Sequence, residues 1–153
     1  MCMKILAAKI DLQKPYQEYA AYEDLLPAER RERIGRLRHD ADRIRSFAAG
    51  ILLRRELESR GLAGCRIITG PQGKPGLEGC HDFCFSLSHS GSYAVLAVSG
   101  GPVGVDVEKV QIRMSVARRF YAEQEQEAIL QNDRQQALVF SKIWTRKEAC
   151  LKY

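Results

Sequence analysis

Two carboxylates, Asp106 and Glu108, stand two positions apart in Gly104-Val105-Asp106-Val107-Glu108-Lys109, a run otherwise built like a buried strand. In an extended backbone they point to one face while Val105 and Val107 point to the other. Like charges this close repel, so the pair needs a cation between them or a retained proton. Hard oxygen ligands suit Mg²⁺, which takes one or two carboxylates and fills its octahedron with water and phosphate oxygens. The same residues also suit a strand that runs out into a solvated, charged turn.

Groups able to grip a phosphate are spread along the chain. Arg45 followed by Ser46 offers a guanidinium fork matched to phosphate oxygens, although it equally fits the wet side of an amphipathic helix. Lys74 is a point charge in Thr69-Gly70-Pro71-Gln72-Gly73-Lys74-Pro75-Gly76-Leu77, a glycine- and proline-rich loop whose backbone can approach a flat or charged ligand. No Gly-Lys-Ser/Thr opens a helix there, which argues against an ordinary nucleotide-triphosphate loop. Ser88 and His89 are short donors at the end of a strand, and the absence of Gly-x-Ser-x-Gly argues against a serine hydrolase. Trp144, Glu148 and Lys152 recur every fourth residue and share a helix face, with Lys147 beside them.

The elements that must position these groups follow from the pattern of apolar residues. Residues 4–10, 65–68, 83–87, 93–98 and 103–107 read as strands, the last two paired across Ser99-Gly100-Gly101-Pro102. Pro27 is placed to start a helix, and a longer one is expected over 35–60, stopping at Gly61. Its stripe of Leu37, Ala41, Ile44, Ala48 and Ile51 or Leu52 packs on the sheet. Residues 115–121, 122–131 and 135–153 are expected to be helical.

At 153 residues and 45% hydrophobic, the chain predicts one domain with a real core. No apolar run is long enough for a membrane span and the start lacks a signal-peptide pattern, so a cytoplasmic protein with no membrane partner is expected. Five cysteines fit reduced thiols. Cys80-His81 with Cys84 lacks a second ligand pair for zinc and reads as small apolar packing. A net charge of +5 predicts acidic partners: nucleic acid, a phosphorylated ligand or an acidic protein.

Taken together, Gly73-Lys74-Pro75, Phe85-Ser86-Leu87-Ser88-His89-Ser90-Gly91, Val103-Gly104-Val105-Asp106-Val107-Glu108 and Trp144-Thr145-Arg146-Lys147-Glu148-Ala149-Cys150-Leu151-Lys152 resemble the 4′-phosphopantetheinyl transferases that activate surfactin synthetase and related carrier proteins. The resemblance implies an α/β (α+β) fold: a pseudo-two-fold pair of α/β halves with antiparallel sheets. The halves would be residues 1–103 and 104–153, the second incomplete, since the family continues past the Lys152 position. It implies that Asp106, Glu108 and Glu148 hold Mg²⁺, or Mn²⁺, on the pyrophosphate of coenzyme A. Arg45, Ser88 and His89 would bind the 3′-phosphate, with Lys74 and Pro75 bordering the nucleotide. Glu148 would take the proton from the carrier-protein serine, and Lys147 and Lys152 would stabilise charge on the pyrophosphate and on the departing 3′,5′-ADP. Glu125 matches a further acidic position. The implied partner is an acidic apo acyl or peptidyl carrier protein, which suits Arg113, Arg118 and Arg119. Either the chain is a fragment of a longer protein, or a second copy of it would cover the incomplete half. Two other readings use the same residues: a coenzyme A-binding fragment that transfers nothing, and a basic nucleotide- or RNA-binding module. The second has no use for three convergent carboxylates, so no nucleic-acid partner is expected.

Overall fold

A computed structural model describes residues 2–70 and 73–153; Pro71 and Gln72 of the expected glycine-rich loop lie outside the described residues. Strands β1 (Lys4–Lys9), β5 (Tyr93–Ser99) and β4 (Cys84–Ser90) form an antiparallel sheet in the order β1-β5-β4, and β2 (Ile67–Thr69) pairs with β3 (Pro75–Leu77) in a separate hairpin. Helix α1 spans Gln17–Ala20, α2 Ala28–Gly35 and α3 Asp40–Ser59. After β5 come α4 (Met114–Phe120), α5 (Glu123–Leu130) and α6 (Gln136–Leu151). Among the described residues no helix is long and apolar enough to cross a membrane.

Alternation decides what the sheet buries. Phe85, Leu87, Ala94, Leu96 and Val98 lie on one face in register, and with Ile44, Leu53 and Leu57 of α3 they form the main core. Helix α3 ends where expected: Gly61 takes φ 69°, its N–H donates to Glu58, and Leu62 N–H donates back to Leu57 O at 2.8 Å. Only a left-handed residue lets the chain double back in this way, which is why glycine stops the helix. A second, smaller cluster gathers Ala117, Tyr121, Ile129 and Phe140 from α4, α5 and α6, with Trp144 packed against it.

Two expectations are corrected. The single helix over 35–60 is interrupted: His39 is extended, Arg43 Nε takes the Leu37 carbonyl at 2.9 Å, and Asp40 and Asp42 open a new helix whose N-terminal dipole favours acids. Ser88 and His89 stand among the last three residues of β4, at the end of a strand as expected. Most consequentially, 103–107 is not a strand of the sheet and does not pair with 93–98. Both edges of β5 are already taken, by β1 and β4, so no row of backbone donors is left for it.

Candidate active site

The segment carrying the two carboxylates is instead held by side chains. Ser86, Ser88 and Ser90 alternate along β4 and so project from one face. Their hydroxyls accept the backbone N–H of Val105 (3.1 Å), Val107 (3.3 Å) and Lys109 (3.1 Å) in turn. Two periods of two therefore match, and an extended chain is fastened across a strand without a backbone ladder. The far end is tied to α6, where Ser141 Oγ bonds both the N–H and the carbonyl of Gln111 at 3.1 Å. At the near end, a Cβ on Gly104 would overlap the Ala149 carbonyl and lie 2.8 Å from Tyr153 N, so glycine permits this close approach to α6.

Between the sheet, α2 and the C-terminal end of α6 lies a cleft of about 540 Å³. Asp106, Glu108 and Glu148 all line it. Asp106 Oδ1 accepts from Ser88 Oγ at 2.7 Å and from Lys152 Nζ at 2.5 Å, and Lys152 also reaches Ser88 Oγ at 3.2 Å. Glu108 accepts from Gln111 Nε2 at 3.1 Å and is ion-paired with Arg113. Among the described residues Glu148 has no side-chain partner, although it fronts the same space. Among those residues, too, no three His, Cys, Asp or Glu side chains stand close enough together to hold a metal ion. Lys152 and Arg113 neutralise Asp106 and Glu108 here, and the expected convergence of Glu148 with that pair on one ion is not found among the described residues. The Cys80, His81 and Cys84 group likewise makes no metal site among the described residues.

The opposite wall is basic. Because neighbours in a strand point to opposite faces, His89 turns away from Ser88 and Asp106 toward α2 and α3. Burial pushes its imidazole below the ordinary value, and Arg33, Arg45 and Arg30 push the same way. Arg30 and Arg33, one helical turn apart on α2, line this wall. Burial, reinforced by Arg33, brings the Arg30 guanidinium down to about 10. Sequence reasoning passed over both; their spacing of three on a helix ahead of the cleft was the available signal. Lys74 and Pro75 also line the cleft, and Lys74 Nζ donates to Val103 O at 3.0 Å and to the Tyr153 carbonyl.

Two residues singled out in the sequence are engaged elsewhere. Arg45 is not among the cleft-lining residues: its Nε donates to Gly91 O at 2.8 Å and its other arm pairs with Asp42 at 2.9 Å, bracing α3 against the β4–β5 turn. Lys147 pairs with Glu125 at 2.8 Å and lies over the Tyr121 ring. That hydrogen bond holds the Glu125 carboxyl below its usual range, while its Oε2 also caps α5 by accepting Ala122 N–H.

Comparison with known proteins agrees with the sequence motifs. Residues 102–153 match the model of the 4′-phosphopantetheinyl transferase superfamily. The chain is 33% identical to 4′-phosphopantetheinyl transferase psf-1 of Bacillus pumilus over 159 aligned positions, covering 98% of this chain and 68% of that protein. It is 31% identical to a 4′-phosphopantetheinyl transferase of Bacillus subtilis, over 98% of this chain and 69% of that protein. To 4′-phosphopantetheinyl transferase Sfp of Bacillus subtilis (strain 168) it is 28% identical, with the same coverage. On these similarities, and with the motifs gathered about one cleft, the chain belongs to the 4′-phosphopantetheinyl transferase superfamily.

Proposed function

We propose that the chain transfers the 4′-phosphopantetheine group of coenzyme A to a serine of an acidic apo carrier protein, releasing 3′,5′-ADP. The observation that carries this reading is the division of one cleft by β4: carboxylates Asp106, Glu108 and Glu148 stand on one side, and Arg30, Arg33 and His89 on the other. A ligand with a pyrophosphate and a separate phosphate has use for both. The basic wall, with Lys74 and Pro75 at its rim, takes the 3′-phosphate and borders the nucleotide. The cleft lies at the seam between the two hydrophobic clusters, which supports a division of the chain near residues 103 and 104.

The donor types suit a hard divalent ion, although Asp106, Glu108 and Glu148 would have to draw together from their present positions to share one. Three carboxylates front the cleft, one without a partner among the described residues, and the other two carry cations that a metal would replace. When bound, Mg²⁺ or Mn²⁺ neutralises charge on the phosphoryl group being transferred and on its leaving group. Asp106, Glu108 and Glu148 are the residues to hold it. Lys152, released from Asp106, remains beside the pyrophosphate as a counter-charge. Glu148, which lines the cleft without a side-chain partner among the described residues, is the carboxylate we assign to accept the serine proton, directly or through a metal-bound water. Ser88 acts by orienting Asp106 rather than by gripping the 3′-phosphate. The exposed Arg118 and Arg119 of α4 suit an acidic carrier.

The test is incubation with Mg²⁺, coenzyme A and an apo acyl carrier protein, followed by the mass of the carrier. A gain of one phosphopantetheine supports transfer. Coenzyme A binding without a mass gain defeats transfer and leaves a binding protein. RNA binding unaffected by Asp106→Ala, with no coenzyme A binding, defeats the whole reading.

A further inference from the structure

Outside the cleft, the chemistry that nothing above absorbs is a pair of thiols. Cys65 Sγ and Cys80 Sγ lie 3.3 Å apart, in hydrogen-bond contact, although the two residues are separated by a complete hairpin. Cys65 sits in the turn after α3, its N–H on Leu62 O, and Cys80 in the turn after β3, its N–H directed at Leu77 O. Between them the ladder runs from Glu78 N–H on Arg66 O through Ile67 opposite Leu77 to Thr69 opposite Pro75. The thiols thus stand at the open base of the β2–β3 hairpin. Its far end carries Lys74, which is fixed to the Val103 and Tyr153 carbonyls.

Both thiols are partly exposed. Cys80 also lines a separate hollow of about 350 Å³, shared with Phe83, Cys84 and Tyr153, through which a small molecule can reach it. A disulfide bond is about 2.05 Å long, so the sulfurs need approach by only about 1.3 Å.

We propose that Cys65 and Cys80 form a reversible dithiol–disulfide couple, oxidised by low-molecular-weight disulfides, that fastens the base of the hairpin bordering the cleft. One thiolate attacks a sulfur of the small disulfide and expels one thiol from it. The second thiolate then attacks the mixed disulfide and expels the other. Two electrons and the two thiol protons end on the two released small thiols. The hydrogen bond to Cys65 pushes the Cys80 thiol up, so exchange quickens as pH rises. Once closed, the loop from 65 to 80 has less freedom to open, and the wall that Lys74 and Pro75 provide is held at both ends.

The test uses the full chain, reduced and then equilibrated with mixtures of glutathione and glutathione disulfide, quenched in acid, alkylated and mapped by mass spectrometry. The expected result is joint loss of alkylation at Cys65 and Cys80 with a linked peptide, while Cys2, Cys84 and Cys150 stay alkylated. Cys65→Ser and, separately, Cys80→Ser abolish the link. Amide exchange in β2 and β3 slows about tenfold on oxidation of the native chain and is unchanged in either serine variant. Persistent alkylation of both thiols in glutathione disulfide, a Cys80–Cys84 link, a stable glutathione adduct, or hairpin exchange indifferent to oxidation each overturns the proposal. None of these readouts involves coenzyme A, so the couple stands or falls apart from the transfer reaction.

Discussion

Replacing Ser88 with alanine should loosen the segment that carries the two cleft carboxylates. The hydroxyl is buried and makes three bonds: it donates to Asp106 Oδ1 and accepts from Val107 N–H and Lys152 Nζ. A hydrogen bond to a charged group contributes about 1.5–3 kcal/mol, and an orphaned N–H costs about 1 kcal/mol. Lys152 keeps Asp106, so its own loss adds little. The expected destabilisation is about 3 kcal/mol, or roughly 6–12 °C in Tm for a chain of this size. Ser86→Ala removes one part-buried acceptor, that of Val105 N–H, and should cost about 1 kcal/mol. Ser90→Ala acts on the exposed Lys109 N–H, which water can satisfy, and should cost about 0.5 kcal/mol or less. Guanidinium denaturation of the three variants therefore has a predicted order, Ser88 above Ser86 above Ser90. If Ser88→Ala is no more destabilised than Ser90→Ala, side-chain hydroxyls do not hold this segment and the account of the site's assembly fails.

Glu148→Gln removes a carboxylate with no partner among the described residues, so Tm should move by no more than about 1–2 °C while carrier modification falls at least about 100-fold; a large Tm loss would show a structural role. Gly104→Ala forces a methyl group against Ala149 and should cost about 1–3 kcal/mol, read as a lower denaturation midpoint. His89 has a depressed folded value, so below about pH 6.5 the unfolded chain takes up its proton first and stability falls as pH drops. The fall in midpoint between pH 7 and 5 should be shallower in His89→Gln, and equal slopes would refute the placement of that imidazole among cations. Arg33→Ala should weaken binding of 3′,5′-ADP about tenfold by calorimetry while leaving 5′-AMP nearly unchanged; equal losses for both ligands would place Arg33 away from the 3′-phosphate.

Local rules were enough for what depends on neighbours in the chain. Gly61 ends α3 because of its own backbone freedom, β4 follows from alternation and β5 from an apolar, β-branched run buried on both faces, and the motif set with its order identified the family. The site required more. Whether 103–107 joins a sheet depends on which strand edges are free, and that is settled only when β1 has taken the outer edge of β5. Three serines at alternate positions of β4 were visible, but their partners lie 19 residues onward and are met only after the chain has folded back. Arg30 and Arg33 line the cleft from α2, whereas Arg45 and Lys147 are engaged by Gly91 and Glu125. Residue types and spacing thus determined which chemistry the chain has available. The tertiary fold decided which of those charges share a cleft, because charge pairing is set by distance in space rather than by separation along the sequence.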